Sequence, residues 1–262
     1  MFVTANGIRI HYELSGKKDA PVVVLSHSLG CTLSMWDPQI DSLKPRFQVL
    51  RYDTRGHGES DAPKGPYALE MLGDDVIGLL DALGIDKVHF VGLSMGGMIG
   101  QSLGLNYGHR LLSLALCDTT AVIPEEARAL WQERIDAARK KGMGALLEPT
   151  LERWFTPSFL GRNSPMLTLI RKDLLATPVE GYVGCMEVIR KLNHLERLRE
   201  IKTPTLIMVG EDDPGTPVAA SEAMHRRIPN SRLVVLPSGL HLPNVEQPEA
   251  FNANLMKFLG QF

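Results

Sequence analysis

The sequence predicts an α/β chain in which a mostly parallel sheet is flanked by helices and interrupted late by a helical insertion. Short apolar runs alternate with helix-like segments, and the alternation stops from about Ala121 to Arg199. The 262 residues, 44% hydrophobic and 22% charged, are enough to bury one sizeable core.

In chain order, the apolar runs place strands at Ile8–Leu14, Val22–Ser26, Val49–Tyr52, Val88–Val91, Leu112–Leu116, Thr205–Val209 and Leu233–Leu236. Helices fit at Leu69–Leu83, Gly97–Tyr107 and, last, near Pro248–Phe262. Between Ala121 and Arg199 the helical, charged stretches Glu125–Lys141, Met143–Trp154, Ser164–Ala176 and Glu180–Leu198 follow one another without a clear strand. This divides the chain into a core of residues 1–120 and 200–262 and an inserted helical cap, or lid, of residues 121–199. No internal repeat or low-complexity tract is present.

A net charge of −2 generates no long-range field toward nucleic acid or an anionic membrane, so neither is expected as a partner. The opening residues Met1–Gly7 lack a basic stretch followed by an apolar one, and no later run is long enough to span a bilayer. Cys31, Cys117 and Cys185 are odd in number and widely spaced, which suits reduced thiols rather than a disulfide framework. A cytoplasmic location is the expectation. No His-Glu-x-x-His or comparable cluster is present, so no catalytic metal is expected.

The chemistry-bearing motif is Gly92-Leu93-Ser94-Met95-Gly96, which follows the run Val88–Val91 and precedes a helix-compatible segment. Chance alone places Gly-x-Ser-x-Gly in about one chain in ten of this length. The strand, sharp turn and helix around it make the match far more specific, because the flanking glycines admit a backbone too crowded for side chains. Ser94 is therefore the candidate nucleophile. Its hydroxyl needs a histidine to take its proton and an acid to orient that histidine. The run Thr205–Val209 leads into Gly210-Glu211-Asp212-Asp213-Pro214, and Leu233–Leu236 leads toward His241.

The remaining histidines have plainer readings. His11, His109, His194 and His225 lie in surface-like segments, and His89 alternates within a strand as a packed or half-exposed residue. His57 precedes the serine, in a glycine-rich turn whose Asp53 and Arg55 are expected to tie loops together. His27 reads as a loop-ordering residue rather than a second base. Backbone amides of Met95 and of Leu29, in the loop after Val22–Ser26, are the expected donors to a tetrahedral oxyanion.

The segments Ser26–Gly30, Ser34–Asp37, Leu50–Gly58, Ala62–Tyr67, Gly92–Gly97 and Arg153–Thr156 together resemble the 3-oxoadipate enol-lactonase branch of the α/β-hydrolases, over nearly the whole chain. The resemblance departs at His27, where relatives often carry Asn. It implies the chain order nucleophile, acid, histidine, hence Ser94, Asp213 and His241. Asp213 holds the last place of the Gly-x-x-Asp pattern typical of the fold, Asp212 becomes a solvated neighbour, and Asp118 stands as the outside candidate for the acid.

It also implies a capped enzyme without cofactor that cleaves a small ester or lactone, the enol-lactone first. Broad carboxylesterase and acyl-homoserine lactonase activities share the pattern, as does a cofactor-free haloperoxidase or perhydrolase. A non-catalytic small-ligand receptor is the alternative from another class. Trp131, Trp154, Phe155, Phe159, Met143 and Met166 are candidates to roof the cleft, with Trp131 and Trp154 expected at substrate. By resemblance, Arg134 would receive a substrate carboxylate, while Arg139-Lys140-Lys141 reads as a solvated helix end.

Overall fold

The computed structural model describes residues 1–162 and 164–262. Strands β1 (Phe2–Ala5), β2 (Ile8–Gly16), β3 (Val22–Ser26), β4 (Gln48–Tyr52), β5 (Val88–Leu93), β6 (Leu111–Cys117), β7 (Thr205–Gly210) and β8 (Ser231–Leu236) form one sheet in the order β1-β2-β4-β3-β5-β6-β7-β8. The β1/β2 and β2/β4 pairs are antiparallel and every later pair is parallel. The mostly parallel sheet expected from the apolar runs is thus present, with one further strand: β1 was not anticipated.

The central strands bury both faces, as parallel strands between helical layers must. The two-residue period of a strand divides their side chains. Val22 and Val24 of β3 and Phe90 of β5 join a core with helices α2 (Leu69–Ala82) and α3 (Met95–Asn106). Val23, Leu25 and Val91 join the opposite core with α1 (Asp37–Leu43) and α11 (Pro248–Leu259). In α2 the residues Leu69, Leu72, Val76, Leu79 and Leu80 are buried, the stripe of a helix lying on a sheet. Truncating fully buried Phe90 to Ala would cost about 3–5 kcal/mol.

Between β6 and β7 run α4 (Arg128–Lys141), α5 (Leu147–Trp154), α6 (Pro157–Leu160), α7 (Pro165–Ala176) and α8 (Val179–Arg190); α9 (Val218–Arg227) and α10 (Pro243–Glu246) follow β7 and β8. The two ends of this helical segment are joined. His194 donates to Ala121 O at 2.7 Å, Ile123 to Leu192 O at 3.1 Å, and Val122 bridges Asn193. The run Glu180–Leu198 is therefore not one helix. It breaks after Arg190, and Leu195–Glu200 forms a separate 3-10 turn packed against α3 and α9.

The segment is tightly seated on the core. A Cβ on Gly56 would lie 2.5 Å from the Gly181 Cα of α8, and Asp173 of α7 accepts hydrogen bonds from Thr32 at 2.8 Å and Ser34 at 2.6 Å. Among the described residues no helix is long and apolar enough to cross a membrane. The three cysteines are free and buried.

Candidate active site

Ser94 sits between β5 and α3 with φ +54° and ψ −113°, a conformation L-residues adopt only where surrounding structure enforces it. Two neighbours show why the motif needs glycine. A Cβ on Gly92 would lie 2.1 Å from Gly96 O, and one on Gly96 would lie 2.1 Å from Ser26 O of β3. The turn is pinned by Ser94 N donating to Cys117 O at 2.8 Å and by the Thr119 hydroxyl donating to Ser94 O at 2.7 Å.

His241, in the loop after β8, and Asp213, in the loop after β7, reach this serine from two further strand ends. Ser94 Oγ lies 2.9 Å from His241 Nε2, and His241 Nδ1 lies 2.7 Å from Asp213 Oδ2. Asp213 is buried and also accepts from Gly215 N at 2.8 Å, Thr216 N at 3.1 Å and the Thr216 hydroxyl. Burial alone would raise its pKa; His241 and these donors outweigh it and hold the carboxyl below its ordinary value. With Asp213 ionised, Nδ1 carries the imidazole proton and Nε2 is left free to accept one from Ser94.

Asp212 is exposed and stands apart from this relay. Asp118 is wholly buried at the end of β6, where Oδ1 accepts from Gly210 N at 2.8 Å and Oδ2 has no partner among the described residues. Burial first, and the charge of Asp213 second, push its carboxyl well above the ordinary range.

Among the described residues, neither the Leu29 nor the Met95 amide donates to a protein acceptor; Met95 opens α3, where helical geometry leaves the first amides free. The two loops that carry them are anchored differently. Met95 is fixed by the Ser94 turn, whereas Leu29 sits between residues held by two imidazoles. His27 Nδ1 donates to Ser28 O at 2.8 Å, and Gly30 N donates to His57 Nε2 at 2.9 Å.

Ser94 and His241 open onto a cavity of about 480 Å³. Trp131, Arg134 and Trp154 line it, together with Ile123, Leu130, Arg153 and Tyr182. The Trp154 ring stacks beside His241, with centroids 6.4 Å apart. Arg134 lies over the Trp131 ring at 5.4 Å. Arg153 is tethered through Nη1 to Pro149 O at 2.6 Å and through Nη2 to the Thr150 hydroxyl at 3.2 Å. No carboxylate pairs with either guanidinium among the described residues. Burial first, then the charge of Arg134, draws Arg153 down to about 10, and burial lowers Arg134 as well. Burial raises the Tyr182 phenol to about 12 against the pull of the two arginines.

Several expectations need correction. Phe155, Phe159 and Met166 do not line the cavity: they pack in the core that holds α1 and α11, and Met143 packs in the other core. His11 is half-buried, with its Nδ1 2.8 Å from Asp53, and His194 is buried at the base of the helical segment. Asp53 does tie loops, accepting from Leu33 N at 2.8 Å and Glu59 N at 3.0 Å, and Arg55 does so away from the cavity, donating to Asn6 O in the β1–β2 turn at 3.1 Å while pairing with Asp75 of α2. Arg153 and Tyr182 line the cavity without having been candidates for it. The spacing of Thr150, Arg153 and Trp154 at i, i+3 and i+4 was the signal for the first, since it sets all three on one helix face.

A Gly-Leu-Ser-Met-Gly turn after a central strand, with an aspartate and a histidine from later strand ends bonded in line with its serine, defines the class. The chain matches the family model described as the alpha/beta hydrolase fold over residues 21–248, and it belongs to that family. It is 39% identical over 260 residues to 3-oxoadipate enol-lactonase 2 of Acinetobacter baylyi, covering 99% of this chain and 96% of the relative. Its structure resembles that of the enol-lactonase from Burkholderia xenovorans LB400, with a TM-score of 0.96, 40% identity, and 99% and 100% of the two chains covered. A malate-bound thermophilic esterase from Thermogutta terrifontis is similar at a TM-score of 0.92 and 32% identity, over 100% of this chain and 98% of that one. The resemblance to the enol-lactonase branch is thereby borne out.

Proposed function

We propose that the protein is a serine hydrolase that opens a small lactone bearing a carboxylate, as the enol-lactone of 3-oxoadipate does. The observation that carries this reading is the cavity itself: a Ser94–His241–Asp213 relay at its floor, and two guanidiniums without a carboxylate partner in its wall. The similarity to enol-lactonases over nearly the full length of the chain supports it.

In this mechanism His241 Nε2 takes the Ser94 proton as Oγ attacks the lactone carbonyl carbon. The Leu29 and Met95 amides hold the oxygen that becomes negative. When the tetrahedral intermediate collapses, the ring C–O bond breaks and His241 returns its proton to the leaving oxygen, giving an acyl-enzyme. In a lactone the leaving oxygen stays tethered and could close the ring again. An enol leaving group converts to a ketone, which removes that nucleophile and lets water, deprotonated by His241, release the acid. Arg134 and Arg153 hold the substrate carboxylate throughout. No step calls for a cofactor.

The test is a substrate panel with a Ser94→Ala control: nitrophenyl esters of rising acyl length, aliphatic lactones, acyl-homoserine lactones and the enol-lactone. The expected result is the highest kcat/KM for the enol-lactone, and loss of at least about a thousandfold in Ser94→Ala. Preference for long uncharged acyl groups would overturn the carboxylate assignment. Retained activity in a folded Ser94→Ala protein would overturn the mechanism.

A further inference from the structure

We propose that His27 and His57 are positioning residues that together aim the Leu29 amide at the oxyanion, one by donating a hydrogen bond and the other by accepting one. The inference rests on the reading above, in which Ser94 is the nucleophile and Leu29 N–H an oxyanion donor.

The peptide unit is planar. Ser28 C=O and Leu29 N–H belong to the same trans peptide unit and point in opposite directions, so fixing the carbonyl fixes the amide. Ser28 O is held by His27 Nδ1 at 2.8 Å and by Cys31 N at 3.1 Å. The next peptide is held as well, because Gly30 N donates to His57 Nε2 at 2.9 Å. The two peptides flanking the Leu29 Cα are therefore each tied by one imidazole. Gly30, at φ +77°, has no room for a side chain, since a Cβ there would lie 2.5 Å from Leu174 Cδ1 of α7. The loop is free to flip only if these bonds break.

The remaining ring atoms fix which nitrogen carries each proton. His27 Nε2 accepts from Thr54 N at 2.9 Å, so its proton sits on Nδ1, facing Ser28 O. His57 Nε2 accepts from Gly30 N, so its proton sits on Nδ1, 3.3 Å from Arg55 O. Both rings are wholly buried, 5.3 Å apart. The charged groups facing them are Asp53, already paired with His11, and Asp173 of α7. Burial outweighs these carboxylates, and His57, repelled also by His27, falls to about 3. A second proton on His57 would turn its Nε2 from acceptor into a donor facing another N–H. His57, outside the relay by its place in the chain, thus has a different part in the same reaction.

The test compares His57→Leu and His27→Leu with His27→Asn, whose side chain offers one acceptor to Thr54 N and one donor to Ser28 O. Kinetics on 4-nitrophenyl acetate are read beside the affinity for phenylboronic acid, which forms a tetrahedral adduct on a nucleophilic serine. Expected is a fall in kcat of about a hundredfold in each Leu variant, the effect of losing one oxyanion donor, with KM within about threefold. Phenylboronate affinity should fall in parallel, and His27→Asn should recover most of both. A Leu variant that folds with unchanged kcat and boronate affinity overturns the clamp. If the Leu variants do not fold, nitrogen NMR of the wild-type imidazoles decides it: neutral Nδ1–H tautomers at both positions support the clamp, and an Nε2–H tautomer at either refutes it. Ser94→Ala separates the two levels, since retained activity there overturns the underlying reading rather than the clamp.

Discussion

Replacing Arg153 by Met, and separately Arg134 by Met, tests what the cavity selects. A hydrogen bond to a charged group contributes about 1.5–3 kcal/mol, or roughly 10- to 150-fold in an equilibrium or rate ratio. The two arginines should fall at opposite ends of that range. Arg153 is already held by Pro149 O and the Thr150 hydroxyl, so little side-chain freedom is lost when an anion arrives. Among the described residues Arg134 has the Trp131 ring and no hydrogen-bond partner to order it, and it must lose more. The quantity to measure is the kcat/KM ratio between a carboxylate-bearing lactone and its methyl ester. That ratio should fall about a hundredfold in Arg153→Met and about tenfold in Arg134→Met. The double variant should fall by at least the product, because in each single variant relief of the repulsion between the two guanidiniums offsets part of the loss. For the same reason neither single variant should lower Tm. Equal losses on the acid and on its methyl ester would refute the argument, since they would mean that the arginines shape the cavity without reading charge.

Two further outcomes follow from the geometry. Asp213→Asn should lower kcat by about 10³–10⁴-fold with the fold intact by circular dichroism, because Asn can donate to Nδ1 and favour the tautomer that blocks Nε2. His89 on β5, bonded to Ser113 and remote from the cavity, is lowered by burial from 6.5 to about 4; the unfolded chain therefore binds its proton more readily, and stability is lost as pH falls from about 6.5 toward 4. The loss from this residue is about 2 kcal/mol between pH 7.5 and pH 5, so His89→Gln should be less acid-sensitive than wild type by that amount in urea unfolding, and an unchanged pH dependence would count against it.

The sheet was legible because a parallel strand buried on both faces must be apolar along its length, as β3, β5 and β7 are. Strand β1 was missed for the converse reason: it is a four-residue edge strand, half of it exposed, whose existence depends on pairing with β2. The break after Arg190 was equally hidden, since hydrogen bonds from Ile123 and His194 across the base of the helical segment end the helix there, and no periodicity encodes them. In the relay, each residue announced itself through a strand end followed by a turn. The cavity wall was less readable. Trp154 and Phe155 are adjacent and equally apolar, yet Trp154 stacks beside His241 while Phe155 stacks on Phe159 in the core. Trp154 is the last residue of α5 and Phe155 is already extended, at φ −134° and ψ 148°, so the end of the helix separates the two fates, and no apolar periodicity marks it.

The charge balance around Ser94 leads to a last prediction. Asp118 and Asp213 are both buried, and the charge of Asp213 is felt at Asp118, but their surroundings differ. Asp213 receives bonds from His241, Gly215 and Thr216, all of which favour the anion, whereas Asp118 receives one bond, from Gly210 N, and leaves Oδ2 unpaired. An anionic oxygen buried without a donor is far costlier than a neutral one. Asp118 should therefore be the protonated companion of an ionised Asp213. Asp118→Asn keeps a neutral group of the same shape and retains an acceptor for Gly210 N. Its kcat should stay within about threefold of wild type and its pH–rate profile should keep the same acidic limb, whereas Asp213→Asn loses activity. A loss in Asp118→Asn comparable to that in Asp213→Asn would show that Asp118 is ionised and shares the work of orienting His241.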